Sequence, residues 1–420
     1  MDTESKLNKL GISFPYVEKD VLLDLLVSCE GSVEKTIRLL TGEKSDTQEE
    51  LRQTTTCKEE KYNTETKQDF QESVFSNNSQ NAGTKRKITD LISHNKRCKI
   101  DPTSTNKTIR LVTKETIEAE LPNIKVYFNF LPDELADEVL KSLDSQRMLF
   151  KAKQFYIAGN LCTSSQKSIF YSNESEADYD PVYASTEFKT NKYTPPIHKC
   201  KMYVDNKVNE ILEELFENDQ SKPEYMISKN WVSDFCVGNY YPNNKSHLDW
   251  HSDKLTNIGP LPTIASVTFG CTRIFRLRRS NPSNSVIYNI PLPNNTLVLM
   301  LPSTQELYKH SVPTLKDSMI KKSKISGPVR YNLTFRMQYP HFKDNYVLCD
   351  KCKQKMILRR LFKGEDIGYY VWMCMSSFKG NECKGFKYAN FKIVDGKMEL
   401  STKDKNEATR WLNDYEEKTD

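Results

Sequence analysis

The sequence predicts an α+β chain built around a double-sheet jelly roll (a double-stranded β-helix), flanked by a small N-terminal helical bundle and a C-terminal cysteine module. Three observations carry this: short apolar runs punctuated by Pro, Asn, Ser and Gly after Asn230, helical periodicity before them, and four cysteines clustered near the end. At 420 residues with 28% charged side chains, the chain has room for two or three domains joined by polar segments.

The first element spans residues 1–43. Val21, Leu22, Leu25 and Leu26 recur at helical spacing, and Glu30-Gly31 breaks the pattern before a second stretch ending in Leu39-Leu40. Phe14-Pro15 and the Leu39-Leu40 pair resemble the CUE domain, a relative of the UBA fold, and the resemblance implies a ubiquitin-contacting surface at both spots. The alternative is that these residues only close the core of a domain of about forty residues.

Residues 44–114 turn to Thr, Gln, Asn, Ser, Lys and Glu, too few apolar groups to offset the entropy of ordering, and are expected to be a disordered linker. Within it, Lys85-Arg86-Lys87 and Lys96-Arg97-Cys98-Lys99 suit a bipartite nuclear-import signal, placing the protein in the nucleus. Solvated linker charge is the other reading.

The central domain is expected over residues 115–341. It opens with the strand-like IKVYF and a helix whose Leu135, Val139, Leu140 and Leu143 share a face. A second helix carries Val204, Val208, Ile211, Leu212 and Leu215. Between them, Lys153 to Pro196 reads as loops or a lid, rich in tyrosine and phenylalanine. FCVGNYY, IASVTFG, RIFRLRR, SVIYNI, TLVLML and RYNLTFRMQ then read as jelly-roll strands.

Composition excludes some classes. No run of about eighteen apolar residues is present, which argues against a membrane helix, and the first residues lack the apolar core of a secretory signal. Eleven cysteines are therefore read as thiols in a reducing compartment. A formal charge of +5 permits nucleic-acid binding without requiring it.

His251-Ser252-Asp253, with His310 lying 59 residues beyond His251, places two imidazoles and a carboxylate in the order H-x-D…H. Two positions apart on a strand, His251 and Asp253 share a face and reach one ion. Two histidines and one carboxylate occupy one face of an iron(II) ion and leave the other side open. RYNLTFR sets Arg330, Asn332, Thr334 and Arg336 on one face and Tyr331, Leu333 and Phe335 on the other. Inward-pointing arginines need anions, and a dicarboxylate supplies them.

The combined pattern resembles the AlkB family of iron(II)- and 2-oxoglutarate-dependent dioxygenases from about Glu120 to Pro340. It is carried by Asn239 and Tyr241, His251 and Asp253, GCTRIF with Arg273, His310, and RYNLTFR. The resemblance implies that His251, Asp253 and His310 bind Fe(II) and that Asn239, Tyr241, Arg330, Asn332 and Arg336 hold 2-oxoglutarate. It further implies hydroxylation of N-methyl groups on bases such as 1-methyladenine and 3-methylcytosine in DNA, with loss of formaldehyde. One departure stands out: where the family's repair enzymes carry an acidic residue near the flipped base, this chain has Leu255. RNA or protein demethylation is the alternative within the family, and an adaptor for ubiquitin and nucleic acid the alternative outside it.

Cys349, Cys352, Cys374 and Cys383 have the number and spacing of a tetrahedral structural zinc site within residues 345–392. Their spacing and the trailing C-x-x-F-x-Y-A-x-F resemble the GRF-type zinc finger, which implies Zn(II) and single-stranded DNA. The namesake arginine of that family is missing, since Gly368 is followed by two tyrosines. Arg359, Arg360, Lys363, Lys384 and Lys387, interleaved with Tyr369, Tyr370, Trp372 and Phe386, offer phosphate contacts and stacking surfaces, with Trp372 and one tyrosine expected in the core. Arg276 to Arg279 and Lys316 to Lys324 are further candidate backbone contacts, with solvated loop charge as the alternative. Residues 393–420 read as a tail.

Overall fold

A computed structural model describes residues 2–14, parts of 22–37, and 107–412 except 158–159, 174–177, 180–187, 218–221, 227–229, 283, 344, 363 and 375–382. The chain divides into two compact units, one drawn mainly from residues 1–84 and one holding nearly everything from residue 85 onward. Among the described residues, no helix is long and apolar enough to cross a membrane.

In the first unit, Asp2 caps the helix Thr3–Ser13 by accepting from Ser5 N, and Leu7 and Leu10 join Leu22, Leu26 and Val33 in a small cluster. Phe14 packs against that cluster. The Leu39-Leu40 pair and both basic clusters lie outside the described residues.

The second unit is a strand sandwich. In chain order its early strands are β1 (Thr108–Arg110), β2 (Ile124–Phe128), β3 (Lys151–Ile157) and β4 (Asn160–Ser172). The short β5 (Asp178–Tyr179), β6 (Phe188–Lys189) and β7 (Asn191–Lys192) follow. Next come β8 (Phe235–Tyr241), β9 (Leu248–His251), β10 (Ile264–Gly270), β11 (Arg273–Arg279), β12 (Ile287–Leu292), β13 (Thr296–Met300), β14 (Tyr308–Val312) and β15 (Arg330–Arg336). One sheet runs β2-β13-β10-β15-β8-β4-β3, with β7 paired to β4; the other runs β1-β12-β11-β14-β9.

Two helices back the larger sheet. Asp133–Ser145 begins with Asp133 and Glu134, whose charges suit a helix N-terminus, and Pro195–Phe216 begins with prolines whose missing N–H costs nothing there. Their apolar stripes, including Val139, Leu143, Val204 and Leu212, form one cluster with Val267, Leu299, Tyr331, Leu333 and Phe335. Each fully buried leucine contributes roughly 2–3 kcal/mol. Because side chains alternate along a strand, seating Tyr331, Leu333 and Phe335 under the helices turns Arg330, Asn332, Thr334 and Arg336 into the sandwich.

The stretch from Lys153 to Pro196 departs from its expected role as loops or a lid. Much of it is strand, with β3 and β4 extending the edge of the larger sheet. Phe170 and Tyr171 are 3% and 0% exposed: Tyr171 joins the helix-side cluster, while Phe170 stacks on Phe235 on the opposite face. A strand covered on both faces shows no polar–apolar alternation, so periodicity does not reveal it.

Order also begins before residue 115. β1 pairs in parallel with β12, and Thr113 with Thr116 forms a capping box on the helix Lys114–Glu120.

The cysteine module is a sheet of β16 (Met356–Arg360), β17 (Tyr370–Cys374), β18 (Phe386–Ala389) and, beyond the hairpin β19 (Ile393–Val394) with β20 (Lys397–Met398), β21 (Ser401–Thr402). The expected tail therefore contributes a strand, and it adds Trp411, 8% exposed, whose indole donates to Tyr369 O. Tyr370 and Trp372 are core at 0% and 3% exposure.

Candidate active site

Strand pairing assembles the histidines. β9 and β14 are antiparallel with His251 directly opposite His310, and the two ring centroids stand 4.2 Å apart. Asp253 lies just past the end of β9, so it is presented by a turn rather than by the strand the spacing predicts. All three residues offer ligand atoms within 4.8 Å of one another. Each imidazole Nε2 lies 3.8 Å from Asp253 Oδ1.

The donor set fits a divalent iron. His251 Nδ1–H donates to Asp249 O at 2.8 Å, which leaves the Nε2 lone pair facing the cluster. Burial and the neighbouring His251 ring push His310 down to about 3, and burial lowers His251 as well, so both rings are neutral ligands near pH 7. Burial works against the Asp253 carboxylate, but Arg336 and the two imidazoles outweigh it and hold the group well below the usual carboxylate range. Arg336 reaches Asp253 Oδ2 through Nε at 2.7 Å and Nη2 at 2.6 Å, leaving Oδ1 toward the histidines.

The two inward arginines therefore stand in different chemical states. Arg336 is neutralised by Asp253. Arg330 is 3% exposed, donates through Nη2 to Thr268 Oγ1 at 2.9 Å, and lies 4.9 Å from the centre of the Tyr241 ring. Among the described residues, its Nε and Nη1 have no hydrogen-bond partner. A buried guanidinium with two unanswered donors is costly, and an incoming carboxylate matches its fork.

Beside Arg330, a row crosses four strands of the larger sheet: Ser168, Asn239, Asn332 and Thr268 are successive register partners. Asn239 Oδ1 accepts from Ser168 Oγ at 2.9 Å. Asn332 donates to Ser266 Oγ and Val267 O and accepts from Thr334 Oγ1, so its amide orders the sheet face that Arg330 and Arg336 share.

Three further groups shape the site, and two of them, Gln305 and Lys153, escaped the sequence reading. Arg273, 1% exposed, donates to Asn243 O, Ser246 O and Pro313 O, stitching the approach to β9 onto the exit from β14. Gln305 Oε1 accepts from Asp253 N at 2.7 Å. Lys153 carries its amine near the site, pushed down to about 8 by burial and by Arg336. Only the GCTRIF pattern flagged one of them, Arg273. Leu255, expected near a substrate base, is 1% exposed and belongs to the apolar cluster that also holds Met356, Leu358 and Trp372.

The cysteines form a second cluster. Cys349 and Cys383 sulfurs are 3.6 Å apart, Cys352 and Cys374 3.3 Å, and all four lie within 4.8 Å. A tetrahedral zinc with Zn–S of about 2.3 Å sets sulfurs about 3.8 Å apart, so this set fits. Gly385 passes so close that an added Cβ would sit 2.3 Å from Cys349 Sγ. Of the basic residues read as phosphate contacts, Arg360 turns inward and Lys387 pairs with Asp350 at 2.8 Å, whereas Phe386 remains 45% exposed.

A family model described as the 2OG-Fe(II) oxygenase superfamily matches residues 123–336. Mouse (Mus musculus) alpha-ketoglutarate-dependent dioxygenase alkB homolog 3 is 37% identical over 128 residues, 29% of this chain and 41% of that protein. Its human (Homo sapiens) counterpart is 39% identical over 109 residues, covering 24% and 35%. The Arabidopsis thaliana protein named DNA oxidative demethylase ALKBH2 is 32% identical over 122 residues, covering 24% and 36%. The chain thus spans about two fifths or less of the length of the curated relatives it matches. A solved structure described as "The structure of OsALKBH1" aligns with a TM-score of 0.36 and 17% identity over 51% of this chain and 98% of that one.

Proposed function

This chain belongs to the 2OG-Fe(II) oxygenase superfamily, and on that premise we propose that it is an oxidative demethylase of N-alkylated bases in DNA, of the 1-methyladenine and 3-methylcytosine type. The observation that carries the oxygenase half is Arg330, a buried cation with unanswered donors on the same strand face as the Arg336 that grips Asp253. His251, Asp253 and His310 would hold Fe(II), and Arg330 with Tyr241 would receive a carboxylate of 2-oxoglutarate beside Asn239 and Asn332. Iron with 2-oxoglutarate and dioxygen supplies the oxidation of an N-methyl carbon, with succinate and carbon dioxide as co-products and formaldehyde lost from the hydroxymethyl base. The chain's own contribution is positional: Asp249 O sets the His251 tautomer, Arg336 turns one Asp253 oxygen toward the histidines, and Arg330 orients the co-acid.

Two observations support nucleic acid as the substrate. Relatives carry names of DNA demethylases. The outer face of the smaller sheet is also basic: positions alternating with the iron-facing ones carry Arg110, Arg276, Arg278 and Lys309, and Trp250 lies between the Arg276 and Arg278 guanidiniums at 4.8 and 4.7 Å. These arginines stand on a strand, not on a solvated loop, and a row of cations around an indole suits a phosphate backbone. The same proposal includes a zinc-bound cysteine module contacting single-stranded DNA, a ubiquitin-binding surface in residues 1–43, and nuclear residence.

The test is product analysis on oligonucleotides with a single 1-methyladenine or 3-methylcytosine, single- and double-stranded, beside methylated RNA and peptides. Formaldehyde and succinate should appear with DNA and vanish in Asp253→Ala. Turnover confined to RNA or peptides would overturn the DNA reading. Replacing Arg276 and Arg278 by Gln should lower the magnitude of the slope of log affinity against log salt for single-stranded DNA by about 1.4.

A further inference from the structure

The cysteine module packs against the turn that carries the iron-ligand aspartate. Asp253 stands two residues beyond the end of β9, so no strand ladder holds its backbone. Side chains from elsewhere do. Its N–H donates to Gln305 Oε1 at 2.7 Å, and its carbonyl accepts from Arg360 Nη2 at 3.1 Å. Arg360 comes from β16 of the cysteine module, and its Nη1 also donates to the backbone carbonyl of Gln305. One guanidinium thus ties the Asp253 carbonyl to the backbone of Gln305, whose side chain holds the Asp253 N–H.

Neighbouring contacts run the same way. Leu358 N donates to Thr256 Oγ1 at 3.3 Å. The Tyr370 hydroxyl donates to Glu306 Oε1 at 3.1 Å, and that oxygen also accepts from Leu261 N. Leu255 and Ile258 share a buried cluster with Met356, Leu358, Tyr370 and Trp372. Both ends of the turn, and its apolar middle, are therefore gripped by β16 and β17 or by residues bonded to them.

We propose that Arg360 is a positioning residue for the iron site, through which the folded cysteine module sets the place of Asp253 and hence the affinity of the His251, Asp253 and His310 set for its metal. The proposal rests on the reading of those three residues as the iron ligands. Its physical basis is that a carboxylate held on a turn wanders unless its backbone is tied down, while the two histidines are already fixed by the pairing of β9 with β14. Arg360 serves because a guanidinium spans two carbonyls at once, which a lysine ammonium on a flexible stem does less well.

The experiment uses the full chain carrying one equivalent of Zn(II), titrated anaerobically with Mn(II) while the free-ion EPR signal is followed. Arg360→Met should weaken Mn(II) binding by about 10–100-fold, the usual range for a lost outer partner of a metal ligand, with zinc content and thermal midpoint close to wild type. Turnover lost in this variant should return at saturating Fe(II), which a merely misfolded protein would not show. Should the methionine variant shed zinc, Arg360→Gln, which keeps one donor nitrogen where the guanidinium uses two to span both carbonyls, is measured the same way. Unchanged Mn(II) affinity in the variant that retains zinc overturns the proposal. Absence of Mn(II) binding by the wild type would instead overturn the iron-site reading, and this inference with it.

Discussion

The iron-type cluster takes its order from two histidines facing each other across a strand pair, whereas the four cysteines come from the turn around Cys349 and Cys352, the end of β17 at Cys374 and the segment before a close-passing glycine. His251 and His310 face each other across an antiparallel ladder, and Asp253 is clamped by Arg336, Gln305 and Arg360. Such a site is preorganised before any metal arrives, and three ligands leave its far side open. The cysteine cluster closes on itself: four thiols, with Gly385 pressed against one of them. A set of that kind is ordered largely by the metal, whose binding free energy becomes folding free energy. The contrast teaches that one ion would serve chemistry and the other architecture.

The largest expected effect probes the open site. Arg330→Met should raise the KM for 2-oxoglutarate by about 100-fold, the scale of a lost charge-assisted pair, while leaving Mn(II) affinity near wild type because Arg330 touches no metal ligand. Equal loss of metal binding would mean the two arginines do not divide their roles as described.

Cys374→Ser addresses the closed site. Zinc should be released and the thermal midpoint should fall by roughly 10 °C, several kcal/mol for a domain of this size. A zinc-free variant with an unshifted midpoint would show that the module is ordered by its apolar core alone.

The smallest effect lies where the two regions meet. Burial raises the Glu306 carboxyl above its ordinary pKa despite Arg360 nearby, and among the described residues its Oε2 has no hydrogen-bond partner. A carboxyl raised in the folded state stabilises it fully below the unfolded pKa and loses that stabilisation as pH rises through the folded value. Glu306→Gln carries no such penalty, so its midpoint relative to wild type should climb by a few degrees between pH 5 and pH 8. A difference independent of pH would place the ionised carboxylate in a compensated setting.

Much of the fold was legible because alternation and helical spacing are local. The six jelly-roll strands follow from short apolar runs between turn residues, the two helices behind them from a period of 3.6, and the inward face of RYNLTFR from a period of 2. The hairpin of β3 and β4 was not, since Phe170 and Tyr171 are buried on opposite faces. In the site, the H-x-D…H pattern and the arginine face could be read directly. Arg360 read instead as a phosphate contact, because an arginine in a basic, aromatic stretch looks the same whether it meets a phosphate or a buried carbonyl.

By itself, the sequence determined which side chains face inward on each strand, which residue types are available to hold a metal or an anion, and where apolar stripes demand a partner. Only the tertiary structure decided what lies across from them: that Arg336 pairs with Asp253 while Arg330 meets no carboxylate among the described residues, that Leu255 is core, and that the cysteine module packs against the turn beside Asp253. Periodicity fixes a direction along one chain segment, but hydrogen bonds and burial join residues some hundred positions apart, and that pairing exists only once the chain has folded.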